Sequence, residues 1–255
     1  MKQVALVTGG SRGIGFSAAV ALANEKFSVA INSLVNDDEL SDAVAHIRSL
    51  GVDAVGIPFD VADLGAHARC LKEVESKLGP LTTLVNNAGV GVMSRGDPLE
   101  VTEESYDRCS AVNAKAMFFL TQQFSRLLLG RERSAHCFYS VVNITSVNAV
   151  AVAEPRAEYC ASKAAASMIS KTFAVRLGRE NISVFEVQPG LISTQMTAAV
   201  IDSYSKRSSE GLTLNRRVGQ AEEVGQVVAS LAVGRLPYVT GQAIAVDGGL
   251  LVPRF

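Results

Sequence analysis

Short runs of apolar, mostly β-branched residues alternate with longer amphipathic stretches from one end of the chain to the other. The runs predict buried strands, because four to eight apolar residues bounded by turn residues are typical of them, and the stretches between have helical spacing. The predicted strands lie near 3–8, 28–32, 53–58, 82–86, 138–144, 182–188 and 241–246. The predicted helices lie near 14–25, 37–50, 63–78, 102–129, 157–178 and 221–233.

This alternation predicts an α/β fold of the Rossmann type, doubly wound, with a parallel seven-stranded sheet and helices on both faces. The length of 255 residues suits one domain, and we expect a single dinucleotide-binding and catalytic domain over 1–255. One stretch, 191–218, is too long for an ordinary connection. Long excursions inside compact domains are often functional, so we expect it to be a substrate lid.

Composition and charge narrow the class of protein. Hydrophobic residues make up 48% of the chain and charged residues 19%, which favours a large folded core over disorder. The net charge of −1 and the absence of a basic block argue against nucleic acid as a partner. The apolar runs are far shorter than the ~20 residues that span a bilayer, so we expect no membrane segment. The first strand starts so close to Met1 that we expect no signal peptide ahead of it.

The cysteines and histidines show no metal-binding spacing. The four cysteines form no Cys-x-x-Cys pair, which predicts reduced, mostly buried thiols and a cytoplasmic location: Cys70, Cys109, Cys137 and Cys160. The three histidines are scattered along the chain, and we expect surface residues and no metal site: His46, His67 and His136.

A glycine-rich turn follows the first predicted strand. Gly9, Gly13 and Gly15 stand between the apolar run 4–8 and a strong helix-forming stretch. Glycines allow the backbone to turn sharply and to approach a pyrophosphate, which binds at the positive N-terminus of the following helix. The spacing is Gly-x-x-x-Gly-x-Gly, not the commoner Gly-x-Gly-x-x-Gly. The pattern indicates a dinucleotide site, and an ordinary glycine-rich turn is the alternative.

Tyr159 and Lys163 carry the most informative chemistry. Their i, i+4 spacing in a predicted helix places them on one face. An ammonium beside a phenol favours the phenolate and lowers a pKa that starts near ~10, so the tyrosine could exchange a proton with a substrate oxygen near neutral pH. Ser146, on the loop before this helix, could hold that oxygen by a hydrogen bond. Alone, the Tyr-x-x-x-Lys spacing is common on helices and has little specificity.

Several polar and glycine positions follow predicted strands directly. They are Gly9–Gly15, Asp60, Asn87–Gly89, Ser146 and Pro189–Gly190. In a doubly wound sheet, ligands bind outside the carboxyl ends of the strands. These positions therefore converge on one edge of the sheet and form one predicted site.

The order and spacing of these motifs are far more specific than any one of them. The chain carries the glycine turn in 8–15, Asn86–Gly89, Asn113, Pro189–Gly190 and the C-terminal run 241–249. With Ser146, Tyr159 and Lys163, it resembles the short-chain dehydrogenase/reductase family over essentially its whole length. Its glycine turn and C-terminal run are most similar to the 3-oxoacyl-[acyl-carrier-protein] reductase-like branch.

The resemblance implies a role for each motif residue. Tyr159 would be the general acid or base, Ser146 would position the substrate oxygen, Lys163 would lower the tyrosine pKa and bind the nicotinamide ribose, and Asn113 would bend its helix and support a water chain to Lys163. The cofactor-binding residues implied are Gly9, Ser11, Arg12, Gly13, Ile14, Gly15, Ser33, Asp60, Val61, Asn87, Ala88, Gly89, Tyr159, Lys163, Pro189, Gly190, Ile192 and Thr194.

The choice between NAD(H) and NADP(H) depends on the end of the second strand, where an acidic residue would bind the ribose 2′-hydroxyl. Here the strand ends at Asn32 and Ser33, and the first acids, Asp37 and Asp38, come late enough to read as a helix N-cap. Arg12 in the glycine turn could pair with a 2′-phosphate. The sequence therefore favours NADP(H) over NAD(H).

The resemblance implies an oxidoreductase that transfers a hydride between NADP(H) and a carbonyl or secondary alcohol. The leading substrate is a 3-oxoacyl thioester or related ketone. The expected pocket walls are Val92, Met93, Val147, Asn148, Val150, Val152, Met196, Val200 and Tyr204, of which the last three, at i, i+4 and i+8, could instead be core residues. An NAD-dependent sugar or polyol dehydrogenase and a non-catalytic dinucleotide-binding protein are the alternatives. We also expect a homotetramer, because the helices near 102–129 and 157–178 carry surplus apolar residues. The resemblance implies that these helices pair between subunits at one interface and that the C-terminal residues 250–255 meet another subunit at a second interface.

Overall fold

The computed structural model describes residues 3–254. Its strands are β1 Val4–Val7, β2 Ser28–Ser33, β3 Ala54–Pro58, β4 Thr83–Asn86, β5 Ser140–Ile144, β6 Ser183–Pro189, β7 Ile192–Ser193, β8 Gly219–Gln220 and β9 Ala243–Val246. Its α-helices are α1 Gly13–Asn24, α2 Asp38–Ser49, α3 His67–Leu78, α4 Glu103–Ser110, α5 Met117–Leu129, α6 Ala157–Gly178, α7 Ile201–Arg207 and α8 Ala221–Ala232.

The large sheet has seven parallel strands in the order β3-β2-β1-β4-β5-β6-β9, which confirms the predicted fold. The chain runs outward from β1 to β3 and then returns to place β4 on the other side of β1. The order therefore reverses between β1 and β4. A crevice opens at such a point, and ligands of doubly wound sheets bind there.

Helices cover both faces of the sheet and form two apolar cores. One core packs α1, α2 and α8 against the sheet, around Leu22, Ile47 and Val228. The other packs α3, α5 and α6 against the opposite face, around Val74, Phe124 and Leu177. The strands are apolar on both sides because both faces are buried, as parallel sheets require.

Two stretches are more complex than their sequence pattern predicts. The predicted helix near 102–129 is α4 and α5 joined by a π-helical segment, Ala111–Ala116. The expected lid contains β7, a 3₁₀ turn Gln195–Val200, α7 and a second π-helical segment, Ser208–Leu212. β7 pairs with β8 as a small separate sheet, which anchors the start of the stretch to its end.

One histidine departs from expectation. His67 was expected at the surface, but it is fully buried at the start of α3, where its Nε2 lies 2.8 Å from the carbonyl oxygen of Val61. Its ring contacts Phe59 edge-on. The imidazole is therefore a core residue that ties α3 to the loop after β3. The four thiols are unpaired, with Cys70 and Cys109 buried.

Candidate active site

The glycine turn is shaped by close backbone contacts that only glycine permits. Gly9 and Gly13 have positive φ values of 59° and 54°. A Cβ on Gly15 would lie 2.1 Å from the carbonyl oxygen of Gly9, so no side chain fits there. The turn is also held to β2, because Asn32 accepts a hydrogen bond from the Gly9 N–H at 3.2 Å.

Thr8 and Asn87 join the turn to the loop after β4. The Thr8 hydroxyl oxygen accepts hydrogen bonds from the N–H groups of Asn87 and Ala88, both at 3.0 Å. The Asn87 amide donates back to the carbonyl oxygens of Thr8 and Gly9, at 2.9 and 3.0 Å. The two loops that border the sheet crevice are thus one rigid unit. Thr8 and Asn32 have structural roles that the sequence motifs do not assign.

The N-terminus of α1 fits a dinucleotide pyrophosphate. Arg12 is the N-cap residue, but its side chain makes no capping bond, and the first turn contains no acid. The first-turn N–H groups and the positive end of the helix dipole are therefore available to an anion. Thr194, at the start of the expected lid, lies across the turn, because a Cβ on Gly13 would be 3.6 Å from its methyl group.

An acid that the sequence analysis overlooked lies beside the expected 2′-phosphate site. Glu39, in the first turn of α2, accepts a hydrogen bond from the Ser11 hydroxyl at 2.7 Å. Its other oxygen lies 3.5 Å from Arg12 in an exposed ion pair. Asp37 is the N-cap of α2 and accepts from the Leu40 N–H, as the sequence predicts. Ser33 lies at the carboxyl end of β2, next to this group.

The loop after β3 carries Asp60 and Val61, which are expected on the adenosine side of the cofactor. Asp60 is exposed and accepts a hydrogen bond from the Ala62 N–H at 2.8 Å, which orders the loop. Val61 is buried beside it. Because β3 and β2 are neighbours, the loop lies at the same sheet edge as Ser33.

Ser146, Tyr159 and Lys163 lie together and are almost fully buried. Ser146 follows β5, and α6 carries the other two residues. The Lys163 Nζ lies 5.7 Å from the centre of the Tyr159 ring and donates a hydrogen bond to the carbonyl oxygen of Ile144 at 3.0 Å. A hydrogen bond with Ser146 lowers the pKa of Tyr159.

Burial is the main cause of the pKa shifts of Tyr159 and Lys163. Burial raises the pKa of Tyr159 above its usual value, against the lowering effects of the Ser146 hydrogen bond and the Arg156 charge. The groups that lower the Tyr159 pKa in this structure are Ser146 and Arg156, and the lowering expected of Lys163 stays a prediction. Burial also lowers the pKa of Lys163 to about 8, although nearby Cys109 and Glu186 act in the opposite direction.

Asn113 lies in the π-helical segment and is fully buried. Its amide oxygen accepts from the Val90 N–H at 2.8 Å, and its amide nitrogen donates to the Val90 carbonyl and to the Ser162 hydroxyl, both at 3.0 Å. A Cβ on Gly89 would lie 3.2 Å from the Asn113 amide oxygen and 3.6 Å from the Lys163 Nζ. Asn113 therefore connects the loop after β4 to the helix that carries Tyr159 and Lys163.

The residues expected beside the nicotinamide lie where β6 ends. Pro189 is the last residue of β6, and Gly190 follows it against the C-terminal loop, where a Cβ would lie 2.7 Å from the Cα of Asp247. Ile192 is buried in β7, and Thr194 caps the next turn. Gly190 is thus a packing requirement, whereas Thr194 faces the glycine turn.

A buried acid behind the site is a second residue that the motifs miss. Glu186, on β6, accepts from the hydroxyls of Thr145 at 2.7 Å and Ser167 at 2.9 Å, and from the Gln188 amide at 2.8 Å. Thr145 precedes Ser146, and Ser167 is one turn beyond Lys163 on α6. The only sequence signal was a charge inside an otherwise apolar strand.

The comparison with known proteins agrees with this geometry. The family model described as enoyl-(acyl carrier protein) reductase matches residues 9–251. The chain is 36% identical over 251 residues to the 3-oxoacyl-[acyl-carrier-protein] reductase of Staphylococcus aureus, covering 98% of both chains. It belongs to the short-chain dehydrogenase/reductase family. It is an NAD(P)-dependent oxidoreductase that is similar to the 3-oxoacyl-[acyl-carrier-protein] reductases.

Other short-chain dehydrogenases/reductases broaden the comparison. A crystal structure of a 3-oxoacyl-[acyl-carrier protein] reductase from Brucella melitensis in complex with NAD matches with a TM-score of 0.96 and 37% identity, covering 100% of this chain and 99% of that one. The gluconate 5-dehydrogenase of Gluconobacter oxydans is 32% identical over 255 residues, covering 97% of this chain and 94% of that protein.

Within residues 3–254, no three His, Cys, Asp or Glu side chains come together in a way that could hold a metal ion. Over the same residues, no helix is both long and apolar enough to cross a bilayer.

Proposed function

We propose that the protein interconverts a ketone and a secondary alcohol, with Tyr159 as the group that moves the proton. The observation that carries this proposal is the buried cluster of Ser146, Tyr159 and Lys163 at the sheet crevice, beside a glycine turn that fits a pyrophosphate. When bound, a reduced nicotinamide supplies a hydride to the carbonyl carbon and is itself oxidised. Tyr159 gives its proton to the carbonyl oxygen, so the products are the alcohol and the oxidised cofactor.

The other residues near Tyr159 orient the substrate and the cofactor and stabilise the tyrosinate. Ser146 holds the substrate oxygen next to the tyrosine hydroxyl, since their side chains already share a hydrogen bond. Lys163 binds the nicotinamide ribose and returns the proton to Tyr159. Asn113 fixes the loop that faces Lys163, through its two bonds to Val90. Arg156 favours the tyrosinate that forms when the proton leaves, because its positive charge lowers the Tyr159 pKa.

The first candidate substrate is a 3-oxoacyl thioester. The relatives that are similar over the whole chain support it. Its acyl chain would lie against four of the expected pocket walls that are exposed apolar side chains, Met93, Val150, Val152 and Met196, whereas the expected walls Val147, Asn148 and Tyr204 are buried. Exposed apolar groups around one cleft are typical of a ligand-binding surface. We also propose that the stretch 191–218 is the lid over this substrate.

A sugar acid or related oxo acid is the second candidate. The similarity to a gluconate 5-dehydrogenase supports it, and so does one feature of the site. Arg156 lies beside Tyr159 with no carboxylate partner among the described residues. A charged substrate would provide that partner.

A spectrophotometric screen tests the proposed function. NADPH and NADH oxidation would be followed with 3-oxoacyl thioesters, diketones, ketoses and oxo acids. We expect turnover with at least one class and no turnover without a ketone. The absence of turnover with every class, from protein that binds the cofactor, would contradict the enzyme proposal and favour a binding protein.

We propose NADP(H) as the preferred cofactor. Ser33 leaves the end of β2 without a negative charge, and Arg12 is exposed at the expected 2′-phosphate site. The pair between Arg12 and Glu39 opposes this preference, but an exposed ion pair at 3.5 Å stabilises by only ~0–1 kcal/mol. A 2′-phosphate carries more charge than one carboxylate and should displace Glu39.

The cofactor proposal predicts the effect of two substitutions. Wild-type protein should turn over faster with NADPH than with NADH at equal low concentrations. Ser33→Asp should shift the ratio of kcat/KM towards NADH by repelling the phosphate, and Glu39→Gln should shift it towards NADPH by freeing Arg12. A wild-type preference for NADH would contradict the proposal.

We propose that the protein is a homotetramer. A groove of about 460 Å³ between α4, α5 and α6 is lined by apolar side chains that include Phe118, Phe119 and Ile169. Met168 and Val175 are exposed on the outer side of α6. A second copy of the chain would cover these groups. The C-terminal segment expected at another interface is described only to Arg254, and Phe255 lies outside the described residues.

A further inference from the structure

Arg156 lies directly before α6, next to the ring of Tyr159. It ends a short 3₁₀ helix, Glu154–Arg156, that leads directly into α6, so it stands three residues before Tyr159. Its guanidinium carbon lies 5.2 Å from the centre of the Tyr159 ring. The side chain is half-buried. A substrate whose carbonyl oxygen reaches the Tyr159 hydroxyl would therefore pass close to this charge.

The guanidinium group is already oriented before any ligand binds. Arg156 donates a hydrogen bond to the side-chain oxygen of Asn148 at 2.6 Å. Asn148 is itself buried and fixed, since its N–H donates to the Ser146 hydroxyl at 3.1 Å and its amide donates to the Ala151 carbonyl at 2.9 Å. A long side chain that is held in place loses less entropy on binding a ligand. Arg156 and Ser146 are thus parts of one rigid unit.

The charge of Arg156 has no carboxylate partner among the described residues, although the side chain is half-buried next to Tyr159. Arg12, Arg131, Arg176, Arg217 and Arg235 each have a carboxylate partner. No carboxylate of residues 3–254 lies within ion-pair distance of Arg156. Only one of its five N–H donors bonds to Asn148. A half-buried guanidinium with free donors is suited to a bidentate bond with an anion.

A second free arginine lies on the adjoining loop. Arg95 is exposed and also has no carboxylate partner among the residues that the structure describes. The next residue, Gly96, donates a backbone hydrogen bond to the Pro155 carbonyl at 3.4 Å, so this loop abuts the segment that carries Arg156. Arg95 also lies 3.5 Å from the hydroxyl of Tyr204 on α7, within the expected lid. Two cationic side chains, Arg95 and Arg156, thus lie on segments that contact each other.

We infer that Arg156, with Asn148 behind it and Arg95 on the adjoining loop, forms a subsite for a carboxylate of the substrate. This inference rests on the proposed function and narrows it. The substrate class is an oxo acid, or its hydroxy acid in the reverse direction, with the carboxylate bound to Arg156 and the carbonyl at Tyr159. It favours the second candidate substrate over the first, because a 3-oxoacyl thioester is neutral around its ketone.

The test compares charged and neutral substrates in matched variants. Arg156→Gln removes the charge and keeps a side chain that can bond to Asn148. Arg133→Gln is the control, since Arg133 lies over the Tyr139 ring at 5.4 Å, a similar contact outside the cluster of Ser146, Tyr159 and Lys163. Each protein would be assayed with gluconate, with its uncharged amide and with fructose 6-phosphate. Gluconate and the amide would also be tested as inhibitors of turnover of a neutral diketone.

We expect wild-type protein to turn over gluconate faster than its amide, or gluconate to inhibit diketone turnover more strongly than the amide does. Arg156→Gln should reduce this selectivity by at least about tenfold, equivalent to about 1.4 kcal/mol of binding free energy, and Arg133→Gln should retain it. Cofactor binding and thermal unfolding would verify that both variants are folded.

Three results would overturn the subsite. One is equal turnover of, or equal inhibition by, gluconate and the amide in wild-type protein. Another is an equal fall in turnover or inhibition for both compounds in Arg156→Gln. The third is a clear preference for fructose 6-phosphate, which would assign the site to phosphate. Turnover of neutral ketones in any of these cases would leave the proposed function intact, whereas loss of all turnover in wild-type protein would contradict the function itself.

Discussion

At the residue scale, the site depends on placing charged groups where water is excluded. Lys163 is buried, and its pKa is lowered to about 8, so the protein holds a lysine that protonates and deprotonates close to neutral pH. Groups with shifted pKa values in a cleft are typical of catalytic sites. The i, i+4 spacing in the sequence predicts the pair of Tyr159 and Lys163. It could not predict that Ser146 and Arg156 lower the tyrosine pKa, because burial and loop geometry decide this.

Lys163→Met should reduce both turnover and cofactor affinity, because Lys163 has two proposed roles. Fluorescence titration with NADPH and steady-state assays would measure the two effects separately. Lys171→Met is the matched control, since Lys171 is exposed on the same helix. An unchanged dissociation constant for NADPH in Lys163→Met would contradict the ribose-binding role.

The same substitution should change stability in a pH-dependent way. Below about pH 8 the folded protein contains a buried ammonium, so Lys163→Met should be the more stable protein, by roughly 3 kcal/mol from the difference between the ordinary and lowered pKa values. Between pH 8 and 10.5 the unfolded chain binds more protons at this position than the folded one. Wild-type stability should therefore approach that of the variant as pH rises. Urea unfolding at a series of pH values would measure the difference, and a gap that widened with pH would contradict the assignment.

At the element scale, buried polar bonds set the register between β5, β6 and α6. Glu186 alone links Thr145, Gln188 and Ser167, and so fixes the strand end that bears Ser146 relative to the helix that bears Lys163. The π-helical segment has a comparable effect, because it places Asn113 where it can bond to Val90 and Ser162. Periodicity predicts the helix near 102–129 but not the π-helical segment within it.

Glu186→Ala should lower both stability and turnover. It leaves buried donors on Ser167 and Gln188 without their Glu186 acceptor, at ~1–3 kcal/mol for each unsatisfied group, and leaves Thr145 only a 3.4 Å hydrogen bond to the Val187 carbonyl oxygen. We expect the free energy of unfolding to fall by at least about 3 kcal/mol. Glu180→Ala provides the control, because Glu180 forms an i, i+4 surface pair with Arg176 and should contribute less than ~0.5 kcal/mol. Equal effects of the two substitutions in urea unfolding would show that Glu186 has no special structural role.

At the scale of the whole molecule, the alternation of strands and helices was sufficient to predict the fold. Each predicted sheet strand and each predicted helix between strands is present, with ends shifted by a few residues, as in α3, which begins at His67 rather than near 63. The loops that carry the motifs lie at the carboxyl ends of β1, β3, β4, β5 and β6, as the sequence predicts. The interior of the stretch 191–218 was not predicted, because its short elements have no periodic pattern and depend on the pairing of β7 with β8. Glu39 was missed because only the folded chain brings α2 next to the glycine turn.

The apolar groups on α4, α5 and α6 predict self-association of the whole molecule. We expect light scattering at micromolar concentration to give four times the 26.9 kDa mass of one chain. Met168→Lys and Val175→Glu, both on the exposed side of α6, should shift the protein towards smaller species. The mass of a single chain for wild-type protein would contradict the proposal, and a dimer would leave one of the two expected interfaces.

The central claim is that the Tyr159 hydroxyl transfers the proton, and Tyr159→Phe tests it most directly because it removes one oxygen atom from the cluster. Turnover of the best ketone from the screen and the NADPH dissociation constant would be measured for wild type, Tyr159→Phe and Tyr139→Phe. Tyr139 is a buried tyrosine in contact with Arg133 and provides the matched control. We expect Tyr159→Phe to lose ~10²–10⁴-fold in turnover with cofactor binding unchanged, and Tyr139→Phe to remain active. If Tyr159→Phe kept more than about a tenth of the wild-type rate, the assignment of Tyr159 as general acid would be wrong.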